Sequence, residues 1–227
     1  NFNQLEYLKQ MVNFLQRKKM QNIIIIDNLS TYPPLLEYYD EIKDLITIEY
    51  MRENYGYQVF FKNNYLQKKY SKGYYIITDP DIIPNSLIPD NFVETMIYYL
   101  DKYFHKITKV GLAIDYQNLP SYFALKKKVE KWELQFWKQE IEKDVYLDKI
   151  DTTFALYKPK YKRLFNNLSF LTAIRLGGVF IAKHGGWFVD NDNLTDEQIY
   201  YRNTANASSS WLQDQDGNNS YEKYKNL

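Results

Sequence analysis

Two aspartates, one residue apart, end a short apolar run in the stretch Tyr74-Tyr75-Ile76-Ile77-Thr78-Asp79-Pro80-Asp81-Ile82. The β-prone residues at its start predict a buried strand, and Pro80 and Pro84 predict that this strand does not continue. Because side chains alternate along an extended chain, Asp79 and Asp81 are expected on one face at the strand's carboxyl end. Paired carboxylates suit Mg²⁺ or Mn²⁺, which commonly bind one or two carboxylates together with substrate phosphates. The stretch therefore predicts a cation that bridges these acids to a diphosphate.

Composition narrows the range of partners and compartments. Among 227 residues, 29 Lys and Arg nearly balance 28 Asp and Glu, so we expect no broad basic surface and no nucleic acid partner. The absence of cysteine excludes disulfides, thiolate metal sites and cysteine nucleophiles, and fits a reducing compartment. The apolar run at 23–26 is too short for a transmembrane segment. We expect a cytoplasmic protein that can associate with a membrane through its acceptor.

Apolar periodicity along the chain predicts alternating helices and strands. Helices are predicted at 4–15, 34–43, 60–70, 90–105 and 126–142, and strands at 22–28, 44–50, 74–77, 109–115 and 149–157. This order predicts a single α/β domain over 1–212, with right-handed crossovers and a mostly parallel twisted sheet covered by helices on both faces. Ligands of such sheets bind beyond the carboxyl ends of the strands, where Asp27-Asn28, Asn54 and Asp79-Asp81 would meet. The polar residues 213–227 predict a weakly ordered tail.

Six segments, in this order, resemble the GT-A type nucleotide-sugar glycosyltransferases, and in particular bacterial enzymes related to the large family-two glycosyltransferases. They are Ile24-Ile25-Ile26-Asp27-Asn28-Leu29-Ser30-Thr31-Tyr32-Pro33-Pro34-Leu35-Leu36, Asn54-Tyr55-Gly56, Thr78-Asp79-Pro80-Asp81-Ile82, Lys109-Val110-Gly111-Leu112, Ile150-Asp151-Thr152-Thr153-Phe154-Ala155-Leu156-Tyr157 and Ala182-Lys183-His184-Gly185-Gly186-Trp187. The resemblance covers roughly residues 1–202, and its specificity lies in the ordered set. Family members carry a further strand ahead of Asn1, which would be missing upstream of this chain.

The resemblance implies a GT-A (Rossmann-like) fold and a metal-dependent enzyme. It would transfer a sugar from a nucleotide-diphosphate-sugar donor to a hydroxyl of a glycan or glycoconjugate acceptor, in cell-surface polysaccharide synthesis. The cation, Mn²⁺ or Mg²⁺, would be held by Asp79 and Asp81, with Asp81 the more direct ligand. His184 would add a third ligand or contact the diphosphate, its alternative being an ordinary packed histidine. The residues expected at the nucleotide sugar are Asp27, Asn28, Asn54, Gly56, Thr78, Asp79 and Lys183, although a solvated lysine is also compatible with position 183.

Asp151 is the first candidate for acceptor binding or for the general base. If transfer inverts the anomeric carbon, a carboxylate within hydrogen-bond reach of the acceptor hydroxyl would serve. The alternative is a turn aspartate that accepts hydrogen bonds from the amides of Thr152 or Thr153. Asp115, at another predicted strand end, is the second candidate. The spacing of Trp132, Phe136 and Trp137 is typical of a helix face in the core.

Two other functions are compatible with the motif. An apolar strand that ends in Asp-Pro-Asp also resembles haloacid dehalogenase-like phosphohydrolases, with Asp79 as nucleophile and Asp81 as acid and base. That family has Thr or Val where this chain has Ile83, and its motif follows the first strand. The third reading is a non-catalytic nucleotide-binding or glycan-binding domain of a larger glycosyltransferase.

Overall fold

The computed structural model describes residues 1–159 and 171–205, which form a mixed α/β structure. The helices are α1 (Glu6–Arg17), α2 (Pro33–Ile42), α3 (Val59–Lys62), α4 (Asn64–Tyr70), α5 (Phe92–Lys102), α6 (Lys126–Leu134) and α7 (Asp196–Thr204). The strands are β1 (Ile24–Asp27), β2 (Thr47–Tyr50), β3 (Tyr75–Ile77), β4 (Ile82–Pro84), β5 (Lys109–Leu112), β6 (Glu140–Glu142), β7 (Val145–Lys149), β8 (Ala155–Tyr157), β9 (Thr172–Leu176) and β10 (Ala182–His184). The predicted tail at 213–227 lies outside the described residues.

The largest sheet has six strands in the order β3-β8-β5-β9-β7-β6, and it is mostly antiparallel. Among its described strands, β5 and β9 are the one pair that runs in parallel. The predicted mostly parallel sheet is therefore wrong. Loop length is one reason, because a parallel crossover needs about a dozen residues or more, whereas two residues join β6 to β7, which therefore pair as an antiparallel hairpin. Strand β8 also inserts between β3 and β5, antiparallel to both.

Two smaller sheets complete the description. Strands β1 and β2 pair in parallel and are connected through α2, which matches the predicted alternation over this part of the chain. Strands β4 and β10 pair in antiparallel fashion, so that His184 lies opposite Ile82. Because Ile82 follows Asp81 directly, this pairing carries a histidine from late in the sequence to the acidic motif.

Helix α1 packs against two separate apolar clusters. Its residues Met11 and Phe14 belong to the larger apolar cluster, together with side chains of α5 and the six-stranded sheet. Leu8 and Val12 belong to a second cluster with α2 and β1. This two-sided packing follows from large apolar residues spaced three and four apart around the helix. None of the helices in residues 1–159 and 171–205 combines the length and hydropathy that a membrane span needs.

Two predicted elements have different boundaries in the structure. Helix α6 stops at Leu134 and passes through a short 3₁₀ turn into β6, so the helix predicted to reach Glu142 is too long. The strand predicted at 149–157 is interrupted by a turn at 150–154. Strand β8, after this turn, pairs with β3 and β5, which are distant in sequence, and local periodicity carries no information about such partners. Strand β6 instead forms a hairpin with the neighbouring β7.

Candidate functional site

A cavity of about 500 Å³ opens where the loops after β1, β2 and β3 meet the turn between β7 and β8. Of the residues predicted for the nucleotide sugar, Asn28, Asn54, Gly56 and Asp79 line it. Asp81, Asp151 and His184 line it as well. The structure thus brings seven of the eleven predicted site residues to one cavity.

Asp81 and His184 form the centre of what we call the acid–histidine corner, whose third member is Gly186. The Oδ2 atom of Asp81 lies 3.3 Å from Nδ1 of His184. The backbone N–H of Gly186 donates to both atoms, at 3.2 Å each. The imidazole is also stacked on the ring of Trp187, with centroids 5.0 Å apart and planes 8° from parallel. The orientation of His184 is therefore fixed by an indole face, a carboxylate and a backbone amide.

The two glycines after His184 permit this close approach. A Cβ atom on Gly185 would lie 2.5 Å from Cζ of Tyr7, whose hydroxyl donates to the carbonyl of Gly185 at 3.0 Å. A Cβ atom on Gly186 would lie 3.1 Å from Cε1 of His184 and 3.6 Å from Oδ2 of Asp81. Gly185–Trp187 forms a 3₁₀ turn, so the backbone both bends sharply and approaches Tyr7 and His184 closely.

The donor atoms of the corner fit a divalent cation. Adjacent oxygen or nitrogen ligands of an octahedral ion at 2.0–2.1 Å lie about 3 Å apart, close to the 3.3 Å between Asp81 Oδ2 and His184 Nδ1. Within residues 1–159 and 171–205, no group of three or more His, Cys, Asp or Glu side chains is arranged to hold a metal. Asp81 keeps lone pairs for a cation, whereas Nδ1 of His184 would have to release the Gly186 N–H in order to coordinate one. A cation bound there would take its other ligands from substrate oxygens or water, as Mg²⁺ sites commonly do.

Asp79 has a different partner from Asp81. Its Oδ2 atom accepts a hydrogen bond from the hydroxyl of Thr152 at 2.7 Å. Burial raises the pKa of Asp79 well above its usual range, and the negative charges of Asp81 and Asp151 add to the effect. A further negative charge close to these three carboxylates is therefore unfavourable, whereas a cation close to them is favoured.

The turn that carries Asp151 lies across one face of β5. Lys109 and Gly111, two residues apart, point to that face. Lys109 Nζ donates to the carbonyl of Asp151 at 2.9 Å, and a Cβ on Gly111 would meet Ile150 Cδ1 at 2.8 Å. The hydroxyl of Tyr157 donates to the same carbonyl at 2.9 Å. The β5 strand therefore needs a glycine under the turn and a buried donor beside it.

Asp151 itself is exposed at the cavity. Its Oδ1 atom accepts from the backbone N–H of Thr152 at 2.8 Å and from the hydroxyl of Thr153 at 3.2 Å. This is the turn aspartate that the sequence left open as an alternative. No hydrogen bond within the described residues reaches its Oδ2. The turn role and the ligand-binding role are therefore compatible, because one oxygen closes the turn and the other is open to a ligand.

Asn28 connects the loop after β1 to the loop after β2. Its Nδ2 donates to the carbonyl of Gly56 at 3.1 Å, and its Oδ1 accepts from the N–H of Tyr55 at 3.3 Å. Asn54 Oδ1 accepts from the N–H of Gly56 at 2.8 Å. Gly56 has φ +71°, a backbone conformation in which glycine avoids the strain of a side chain.

Four predicted site residues are absent from the cavity lining. Asp27 accepts from the N–H of Ser30 at 2.9 Å and from the hydroxyl of Tyr39 at 2.8 Å. Asp115 closes a turn by accepting from the backbone of Gln117 and from Asn118. The hydroxyl of Thr78 donates to the carbonyl of Asp79, and Lys183 is exposed, with its amine 5.3 Å from the centroid of the Phe188 ring. These side chains contact neighbouring parts of the chain, so none of the four is assigned to ligand binding or catalysis.

Several residues at the cavity were not singled out from the sequence. Arg202, on α7, lines the cavity, and its Nη2 is buried without a hydrogen bond among the described residues. Tyr7, Thr152, Glu133 and Arg175 also line the cavity. The capping box formed by Thr195 and Gln198 could have predicted the start of α7. No signal in the sequence indicates that this helix reaches the cavity.

Comparisons with known proteins add no family to these observations. No protein-family model matches the chain, and no significant match was found among curated proteins. A function for this protein must therefore be inferred from the cavity and from the order of its motifs.

Proposed function

We propose that the protein is a metal-dependent glycosyltransferase of the GT-A type. It would transfer a sugar from a nucleotide-diphosphate-sugar donor to a hydroxyl of a glycan or glycoconjugate, in the synthesis of cell-surface polysaccharide. One observation carries the proposal: the acid–histidine corner shares a cavity with Asn28, Asn54 and Gly56 from two other strand ends. A cation ligand set beside polar loops that reach the same space is what recognition of a nucleotide diphosphate requires.

Positive charge for the diphosphate is available at this cavity. The Lys and Arg side chains in its described lining are Lys149, Arg175 and Arg202. Arg175 forms an ion pair with Glu133, which neutralises its charge. Arg202 has a buried nitrogen with no hydrogen bond among the described residues. We therefore propose Arg202 as the guanidinium that contacts the donor's phosphates, since arginine suits phosphate oxygens by charge and by planar geometry.

The chain's own residues account for acceptor activation. In an inverting transfer, the acceptor oxygen forms a bond to the anomeric carbon while the bond from that carbon to the diphosphate oxygen breaks. The hydroxyl proton passes to the Oδ2 of Asp151, and the bonding electrons leave with the diphosphate. A cation held by Asp81 and His184 would stabilise the charge on this leaving group. Lys109 and Thr152 are positioning residues, because they hold the Asp151 turn through its carbonyl and through Asp79.

The fold class is part of the proposal. The mixed sheet alone is shared by many α/β proteins, and the GT-A class is supported by the six ordered motifs. A haloacid dehalogenase-like mechanism fits less well. It would need Asp79 as an open nucleophile, whereas Asp79 is half-buried and accepts a hydrogen bond from Thr152 at 2.7 Å.

A thermal-shift screen tests the proposal. Nucleoside diphosphates and their sugars are added with and without Mn²⁺, since a ligand that binds only the native state raises the melting temperature. We expect a Mn²⁺-dependent rise with one nucleotide class, and its loss in Asp81→Asn. Asp90→Asn is the matched control, because Asp90 is a solvent-exposed partner of Lys18. If no nucleotide raises the melting temperature in either condition, the proposal is wrong.

A further inference from the structure

One group of side chains in the cavity lining has no role in the proposed donor binding. We call it the aromatic lobe, and its members are Trp132, Glu133, Phe136 and Arg175. The rings of Trp132 and Phe136 meet edge to face, with centroids 5.6 Å apart. Both residues are only partly buried, on α6 and the 3₁₀ turn that follows it. The sequence pattern predicted these rings in the core, but the structure leaves them at a cavity wall.

The lobe also contains an ion pair with almost no access to solvent. Arg175 donates to Glu133, and the two side chains are 6% and 5% exposed. The guanidinium lies 5.0 Å over the ring of Phe136 and donates from Nη1 to the carbonyl of Lys149 at 3.1 Å. Its Nε is buried and makes no hydrogen bond among the described residues. A buried N–H without an acceptor is costly, so an oxygen supplied by a ligand would stabilise it.

The lobe has no net charge. Because Glu133 neutralises Arg175, a ligand with a carboxylate or phosphate would bring an uncompensated charge into a desolvated place beside another carboxylate. A ligand with apolar faces and many hydroxyl groups meets no such penalty. Its faces can lie against Trp132 and Phe136, and its hydroxyls can pair with the polar atoms between them.

The lobe lies close to the proposed chemistry. Arg175 donates a hydrogen bond to the carbonyl of Lys149, and the hydroxyl of Thr152 donates one to the carboxylate of Asp79. Thr152 lies three positions after Lys149, so the backbones of these two residues are at most about 11 Å apart. Asp151 lies between them. A ring held in the lobe therefore shares the cavity with Asp151 and lies on the side of the turn that carries this proposed base.

From these contacts we propose that the aromatic lobe binds the acceptor, and that the part of the acceptor bound there is an uncharged sugar ring. This inference rests on the proposed transferase function. It adds the class of the acceptor, and it assigns Trp132 and Phe136 to sugar binding and the Glu133–Arg175 pair to the exclusion of acidic sugars.

Saturation-transfer NMR with the whole chain tests this inference. The probes are methyl glycosides of neutral hexoses and the matching methyl hexuronides, each measured alone and with nucleoside diphosphate plus Mn²⁺. We expect signals from neutral glycosides and at least tenfold weaker binding of hexuronides. In Trp132→Leu and Phe136→Leu, affinity for the neutral glycosides should fall at least tenfold, with the Mn²⁺-dependent nucleotide shift unchanged. Tyr98→Leu is the matched control, since Tyr98 is an aromatic residue on α5 that is 56% exposed and outside the cavity lining.

The outcomes separate this inference from the function on which it rests. Equal or tighter binding of hexuronides overturns the uncharged class, and binding that the two leucine variants leave unchanged overturns the site. If nucleotide binds with Mn²⁺ but no glycoside binds in either condition, the lobe is not an acceptor site and the transferase proposal stands. If glycosides bind but no nucleotide does, the transferase proposal fails, and the acceptor role of the lobe fails with it.

Discussion

Asp27 and Asp81 look alike in sequence but are used differently in the fold. Each follows an apolar run, and each is nearly buried, at 2% and 8% exposed. The carboxylate of Asp27 accepts hydrogen bonds from Ser30 and Tyr39, which are nearby in sequence. The carboxylate of Asp81 faces His184 and Gly186, more than a hundred residues later, and lines the cavity.

The difference lies in the partners that the fold supplies. Helix α2 begins six residues after Asp27 and presents Tyr39 to it. Within the described residues, no donor nearby in sequence bonds the Asp81 carboxylate, whose partners come from the β4–β10 pairing and the glycines after it. A strand-end aspartate with donors nearby in sequence stabilises its loop, whereas one that meets another strand end is available to a ligand. Substitutions should therefore affect stability at Asp27 and activity at Asp81.

The largest effect is expected for Asp81→Ala. If Asp81 is a ligand of the cation, donor turnover should fall at least a hundredfold, equivalent to about 3 kcal/mol of transition-state stabilisation. The free energy of unfolding should change by less than about 1 kcal/mol, because the Gly186 amide keeps His184 as an acceptor. Steady-state kinetics and urea unfolding measure the two quantities. Turnover within threefold of the wild type would remove Asp81 from the site.

Asp27→Ala should give the reverse result. It leaves the hydroxyl of Tyr39 and the amide of Ser30 without an acceptor in a buried place, at a cost of about 2 to 3 kcal/mol of unfolding free energy. Turnover per folded molecule should stay within about threefold. Urea unfolding together with active-site titration checks both. A large loss of turnover without a loss of stability would place Asp27 at the nucleotide after all.

The same contrast shows what the sequence could reveal. Helices α1, α2 and α5 and strands β1, β2, β3 and β5 lie where periodicity and proline predicted them, because those signals are local. Strands β4 and β9 were missed, since they pair with β10 and β5, which are far away in sequence. The ion pair between Glu133 and Arg175 joins residues 42 positions apart, and nothing near either residue predicts it. For the same reason, the helical spacing of Trp132 and Phe136 could not distinguish a core face from a cavity wall.

Lys109 extends the comparison to a buried charge that holds a loop. Burial lowers its pKa to about 7, against the opposing influence of Asp151. The unfolded chain therefore binds a proton that the folded protein releases between about pH 7 and 10.5, and stability from this group rises with pH over that window. The unfolding free energy of the wild type minus that of Lys109→Met should increase by about 2 kcal/mol from pH 7 to pH 9.

Urea unfolding of both proteins across this range measures the difference, and the variant cancels the contribution of the other titrating groups. A difference that stays constant from pH 7 to pH 9 would show that Lys109 is charged in the folded protein throughout. In that case the hydrogen bond from Lys109 to the Asp151 carbonyl would be a charged contact, and the turn would be held by electrostatics as much as by shape.

The smallest effect is expected for Gly186→Ala, which tests how tightly the acid–histidine corner is built. Its Cβ would lie 3.1 Å from the His184 ring, so the ring must move by a few tenths of an ångström. The affinity for Mn²⁺ in the presence of nucleotide should fall about fivefold, equivalent to about 1 kcal/mol. Gly73→Ala is the matched control, because nothing lies within 4 Å of a Cβ there. Displacement of His184 should leave the Asp27 loop unchanged, so weaker cation binding with an unchanged free energy of unfolding would locate the effect at the corner. Equal Mn²⁺ affinities of the Gly186→Ala and Gly73→Ala variants would show that His184 does not bind the ion.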